Sequence, residues 1–130
     1  MTDTISVRAS NLTGAALDWA VAQAENVETS WRYGRELVKV HDRHGIELIE
    51  SIRSVYAPST NWAQGGPLID KHRGGFQWNA NMGGSDTCYW AGPGNTTRWH
   101  YGPTALVAFC RSLVESKLGS HVQVPKELMP

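Results

Sequence analysis

Between Pro58 and Gly102 the chain carries nine of its thirteen glycines and four of its six tryptophans. Only Asp70, Lys71, Arg73, Asp86 and Arg98 bear a formal charge there. So long an irregular stretch inside a small domain is either functional or disordered. Its aromatic residues argue against disorder. The remaining residues must therefore supply the scaffold that holds this stretch. At 130 residues there is room for one core, so residues 1–130 form a single domain. A chain of this size buries about two-thirds of its unfolded surface and needs neither disulfide nor metal to fold.

The scaffold elements can be read on either side. Thr4-Ile5-Ser6-Val7-Arg8 alternates apolar and polar residues and predicts a short strand. Ser10, Asn11 and Thr13 offer caps for a helix from Leu12 to about Glu25. Its apolar face holds Leu12, Ala15, Ala16, Trp19 and Ala22, widened by Leu17, Val21 and Ala24. Trp19 is assigned to the core. Arg35–Tyr56 fits a hairpin, with Leu37–Val40 as one strand and Asp42-Arg43-His44-Gly45 as the turn, although helical spacing also suits Ile46–Tyr56. The clearest element opens at Gly102-Pro103, with Pro at the first helical position, and closes at Gly119. Leu106, Phe109, Cys110, Leu113 and Leu118 face inward along it. Val122 and Val124 then alternate as a last strand ended by Pro125. The expected class is α+β, with two helices packed on a short, mainly antiparallel sheet and a long Gly/Trp-rich loop region.

Charge and cysteine usage exclude several functions. Twelve Lys and Arg balance twelve Asp and Glu, which argues against duplex nucleic acid as a partner. No apolar run approaches the ~20 residues of a membrane span, and no signal-peptide pattern opens the chain. The two cysteines make no disulfide framework, so a reduced cytoplasmic setting is expected. Cys110 reads as a small core residue.

Several motifs lead nowhere. Gly65-Gly66, Gly74-Gly75 and Gly83-Gly84 recur every nine residues, continued by Gly92-Pro93. A calcium-binding nonapeptide roll has that period, but Leu68 and Gln77 stand where it needs glycine. Short strands joined by glycine turns are the better reading. His41 and His44 lack the further ligands that zinc requires, so no metal or other cofactor is expected. Asp18 has no second carboxylate at an acid–base spacing, and nucleophile-elbow and phosphate-loop motifs are missing. No catalytic residue is assigned, and an enzyme is disfavoured.

One constellation stands out. Trp62, Trp78, Tyr89, Trp90, Trp99 and Tyr101 interleave with His72, Arg73, Arg98 and His100. Aromatic faces stack on bases, and helix N-termini bind phosphate. Arg98-Trp99-His100-Tyr101 leads directly into the helix start at Gly102-Pro103-Thr104, so a ring, a cation, free amides and a hydroxyl adjoin in sequence. Against this, tryptophans also build the cores of small loop-rich folds.

Three blocks also resemble a known family. Asn11–Ala22, Tyr56–Ile69 and Tyr101–Leu106, with the helix end Ser116–Gly119 and the tail Val122–Leu128, are similar to the NinX-like proteins of tailed phages and prophages, described as a domain of unknown function. That family often carries Asp and Ser where this chain has Asn61 and Ala63. The resemblance implies a small accessory protein acting in the host cytoplasm and brings no established activity. It suggests that Asp18, the Trp62–Gly66 loop and the Gly102–Thr104 helix start converge.

The expected function is binding and sequestration of a small nucleotide-like ligand, such as a host immune signal, without turnover. Trp62 and Trp99 would stack on its rings, and Gln64 with the Gly65 and Gly66 amides would read polar edges. Arg98, Gly102 and Thr104 would hold phosphate, with Asp18 nearby. The alternatives are a protein–protein inhibitor of a host factor and a nucleotide hydrolase. A homo-oligomer would let two chains complete one pocket.

Overall fold

The computed structural model describes residues 3–27, 29–32, 35–41, 47–51, 56–79 and 86–129. The chain is an α+β domain of small antiparallel sheets and, among the described residues, three α-helices. In order these are β1 (Thr4–Arg8), α1 (Gly14–Ala24), β2 (Thr29–Arg32), β3 (Arg35–His41), β4 (Glu47–Ser51), α2 (Trp62–Lys71), β5 (Gly75–Trp78), β6 (Tyr89–Gly92), β7 (His100–Gly102), α3 (Ala105–Leu118) and β8 (His121–Pro125).

The core is organised around α3, whose residues Ala105 to Val114 are all buried. Phe109, Cys110, Leu113 and Val114 meet Leu12, Leu17 and Val21 from the first helical region. Seven of the eleven residues of α1 are buried, more than a single apolar face provides. Its alanines let neighbours approach on several sides, so the helix sinks into the domain rather than lying on it. Asp18 sinks with it. Thr13 occupies the N-cap position of α1, although its side chain makes no capping bond.

The ends of the chain are stapled together. Strand β1 pairs antiparallel with β8, bringing Val7 opposite Val122 and Ile5 opposite Val124. Val122 and Val124 point into the core, as their alternation predicts. The expected hairpin is present as β3 and β4, with Lys39 opposite Ile49, and β2 adds a third antiparallel strand. The turn at 42–45, including His44, lies outside the described residues, as do Gly83 and Gly84.

The Gly/Trp-rich stretch is more regular than its composition suggests. It holds the antiparallel sheet β5-β6-β7 and the whole of α2. Helix α2 runs through Gly65, Gly66 and Pro67, three residues that read as breakers. It forms because Asn61 caps it, its Oδ1 accepting the Ala63 amide at 2.9 Å. It stays because Gly65 fits against the Pro58 carbonyl and the Leu106 side chain, while Leu68 and Ile69 pack on the core.

Helix α3 begins two residues later than the motif suggests. Thr104 is its N-cap, with Oγ1 accepting the Val107 amide at 3.1 Å, and Pro103 precedes the cap. Gly119 ends the helix at φ +98°, and its N–H donates to the Glu115 carbonyl at 2.9 Å.

Candidate functional site

Where α2 meets the start of α3, the surface opens into a cleft of about 510 Å³. One wall is aromatic. Trp62 and Phe76 stand edge to face, with ring centroids 5.6 Å apart, and Tyr89 continues the wall. Both rings of that pair are about half exposed, at 53% and 48%. Aromatic surface normally goes inside, so two neighbouring rings held open to solvent are informative. The opposite wall is the first turn of α3, from Pro103 to Val107. Thr104 takes up the Val107 amide. The amides of Ala105 and Leu106 then have no partner within the helix and form the positive end of its dipole. Ser59 and Thr60 close the end of the cleft.

Asp18 sits behind that closing turn. Its Oδ1 accepts the Ser59 amide at 2.9 Å, joining α1 to a residue 41 positions later. Asp18 is 5% exposed, and burial holds its pKa above the ordinary value, although the bonds from Ser59 oppose the shift. The Ser59 hydroxyl lies beside the same carboxylate and is itself without a hydrogen bond of good geometry. The same buried environment raises the Cys110 thiol and the Tyr56 phenol, chiefly by desolvation. Asp18 therefore fixes the wall and does not line the cleft.

The structure brings together only part of the residue set expected from sequence. Trp62 and Thr104 both line the cleft. Gly65 and Gly102 are close-packing positions. A Cβ on Gly65 would lie 2.3 Å from the Pro58 oxygen, and one on Gly102 would lie 2.7 Å from the Ala108 nitrogen. Gly66 lies one residue further along α2, where a Cβ would meet only Trp62, at 3.7 Å. Gln64 uses Oε1 to accept the Ala57 amide at 2.6 Å and so shapes the approach to α2.

Trp99 lies over Gly92, tilts against Trp90 at 6.3 Å, and donates its indole N–H to the Pro93 carbonyl at 2.9 Å. Its ring holds the sheet together. Arg98 lines a separate depression with Glu115 and Lys117 near the far end of α3. One cavity shared by Trp62, Arg98 and Thr104 is therefore not formed. The sequence places Arg98 six residues before Thr104, but β7 carries the chain back along α3, and the Ser112 hydroxyl binds the Arg98 carbonyl at 2.8 Å.

Sequence reasoning missed Ser59, Phe76 and Arg111. Arg111 is 4% exposed within α3. Its Nε donates to the Leu12 carbonyl at 2.8 Å and its Nη1 to the Tyr101 carbonyl at 3.1 Å, with the Asp86 carboxylate 3.4 Å away. It thus ties the first helical region, β7 and α3 together behind the cleft. No sequence motif marks it; a lone cation on an otherwise apolar helical face was the available signal.

Among the described residues, no group of three or more His, Cys, Asp or Glu side chains converges as a metal site would. No described helix is long and apolar enough to cross a membrane. Comparison with curated proteins finds no match. The family model described as bacteriophage P22 NinX matches residues 8–117, which include α1, the capped helix α2, and β7 with most of α3. The chain belongs to the phage NinX family.

Proposed function

We propose that the chain is a binding module of the host cytoplasm that holds a small nucleotide-like ligand in the cleft between α2 and α3, without turning it over. One observation carries this reading: the half-exposed Trp62–Phe76 pair and the first turn of α3 line one cleft. A flat ring stacks on the first, contributing roughly 1–3 kcal/mol. An anionic group meets the second, favoured by the helix dipole. No charged side chain lines the cleft among the described residues. The ligand therefore presents little charge there, such as a single phosphate or a cyclic phosphodiester.

A second reading is supported by Trp78. It is 63% exposed and lies outside the cleft lining. An aromatic surface extending from Trp62 and Phe76 to Trp78 has the composition of an interface hot spot for a host protein.

Calorimetry against linear and cyclic nucleotides separates the two. Binding at micromolar concentration that Trp62→Ala abolishes supports the ligand, and chromatography then recovers it intact. A stoichiometric host protein that competes for the same surface, with no nucleotide bound, rejects it in favour of the second reading. Hydrolysed ligand rejects sequestration without turnover.

A further inference from the structure

At the opposite end of α3, roughly 20 Å from the cleft along the helix axis, two depressions adjoin. One is lined by Arg98, Lys117 and Glu115, and the other by Lys71, His72 and Arg73. Asn95 borders both. They are locked in register by backbone: the Gly94 amide donates to the His72 carbonyl at 3.0 Å, and a Cβ on Gly94 would strike the Arg73 carbonyl. The turn bearing Arg73 is therefore joined by backbone to the segment that leads to Arg98.

The acids near this surface each stand beside another basic side chain. Glu115 stands 3.0 Å from His100 Nε2. Glu25, which packs under the second depression, contacts Lys71 and His72 at 2.8 Å each. Lys71 and Lys117 have an ordinary role as well, since each lies in the last turn of a helix, where a cation suits the dipole. Arg73 and Arg98 have no such role. Both are exposed, and neither has a carboxylate partner among the described residues.

Arg73 is also held at φ +51°. Among the described residues the other non-glycine in that region is Asn26, an ordinary occupant. An arginine there costs roughly 1 kcal/mol or more relative to glycine. The position just past α2 is one where glycine is the usual choice, and Gly74 stands beside it unused for the purpose. Strain kept at an exposed side chain that has no carboxylate partner among the described residues points to something outside the domain.

We propose that this surface is a second, separate binding site, taking a ligand with two or more phosphate groups through Arg73 and Arg98, with Lys117 in support. Guanidinium groups bind phosphate oxygens in pairs, and two of them on adjoining segments suit a ligand with more than one phosphate. The phosphates of a free polyphosphate and of a single-stranded phosphodiester backbone share that chemistry.

The test is titration of the full chain with tripolyphosphate and with a short single-stranded oligonucleotide. Arg73→Gly removes the guanidinium and also relieves the backbone, so it is expected to be at least as stable as the parent while binding falls about tenfold. Arg98→Gln is expected to weaken binding by a similar factor, and Trp62→Ala to leave the binding of tripolyphosphate, which offers no ring to stack, unchanged. Binding of the oligonucleotide as well as tripolyphosphate assigns a nucleic-acid backbone, and binding of tripolyphosphate alone assigns a free ligand; either supports the site. No binding of either probe at millimolar concentration in low salt overturns it, as does binding that survives both arginine substitutions.

Discussion

Gly65 and Gly66 are adjacent in one helix, yet alanine is expected to act on them in opposite directions. At Gly66 the new methyl meets only Trp62 Cε3, at 3.7 Å, an ordinary contact. Alanine there gains about 1 kcal/mol of helix propensity. At Gly65 the methyl would lie 2.3 Å from the Pro58 oxygen and 2.7 Å from Leu106 Cδ2. Leu106 is a side chain and can turn, but the Pro58 oxygen belongs to a fully buried backbone and cannot withdraw. Overpacking of this kind costs about 3 kcal/mol at its upper range. After the propensity gain, Gly65→Ala is expected to lose about 2 kcal/mol, roughly 3 kcal/mol below Gly66→Ala. In a chain of this size that separates their melting temperatures by roughly 10 °C. Urea unfolding followed by circular dichroism measures both variants against the parent. If Gly65→Ala proves as stable as Gly66→Ala, the close contact of α2 with Pro58 and α3 does not exist, and neither does the cleft as built.

Other consequences are as definite. Asp18→Ala strips the acceptor from the buried Ser59 amide and is expected to cost about 1–3 kcal/mol. Asp18→Asn keeps an acceptor and removes a buried charge, so it should stay within about 1 kcal/mol of the parent in urea unfolding; equal losses in both variants would contradict the role given to Asp18. Thr104→Ala removes the α3 cap and should cost about 1 kcal/mol in the same assay. Glu25 also sets an acid limb. Burial alone would raise its pKa, but its bonds to Lys71 and His72 outweigh that and hold it below the ordinary 4.5. The stabilisation it contributes is therefore fully present above that value and is lost as pH falls through the lower folded value. Glu25→Gln should accordingly be less stable than the parent at neutral pH, with the gap closing at strongly acid pH. A gap that stays constant with pH would refute this origin.

What the sequence disclosed and what it hid follow from different physics. Alternation in Thr4–Arg8 and Val122–Val124, and the long apolar periodicity of α3, are local signals, and each marks an element that is present. Helix α2 was hidden because Gly65, Gly66 and Pro67 argue locally against a helix. The reason for Gly65 is tertiary: nothing larger fits between Pro58 and Leu106. The capping residue Asn61 was the local sign, outweighed by three apparent breakers. The site was half legible. Trp62 and Thr104 belong to separate family-like blocks, and the fold brings them together across 42 positions. Arg98 and Trp99 looked like partners of Thr104 through nearness in sequence, but a strand turns nearness into separation. Phe76 had no motif, and Ser59, inside the Tyr56–Ile69 block, carried no sign of a role, since their part depends on which surface α2 leaves uncovered.

The most direct test follows amide and indole resonances while a mononucleotide or cyclic dinucleotide is added. Saturable shifts are expected at the Trp62 indole N–H and at the amides of Ala105 and Leu106, where ring and anion would sit. Saturation with those three signals unmoved, or with shifts confined to Asn95, Arg98 and Lys117, would contradict a ligand held between α2 and α3.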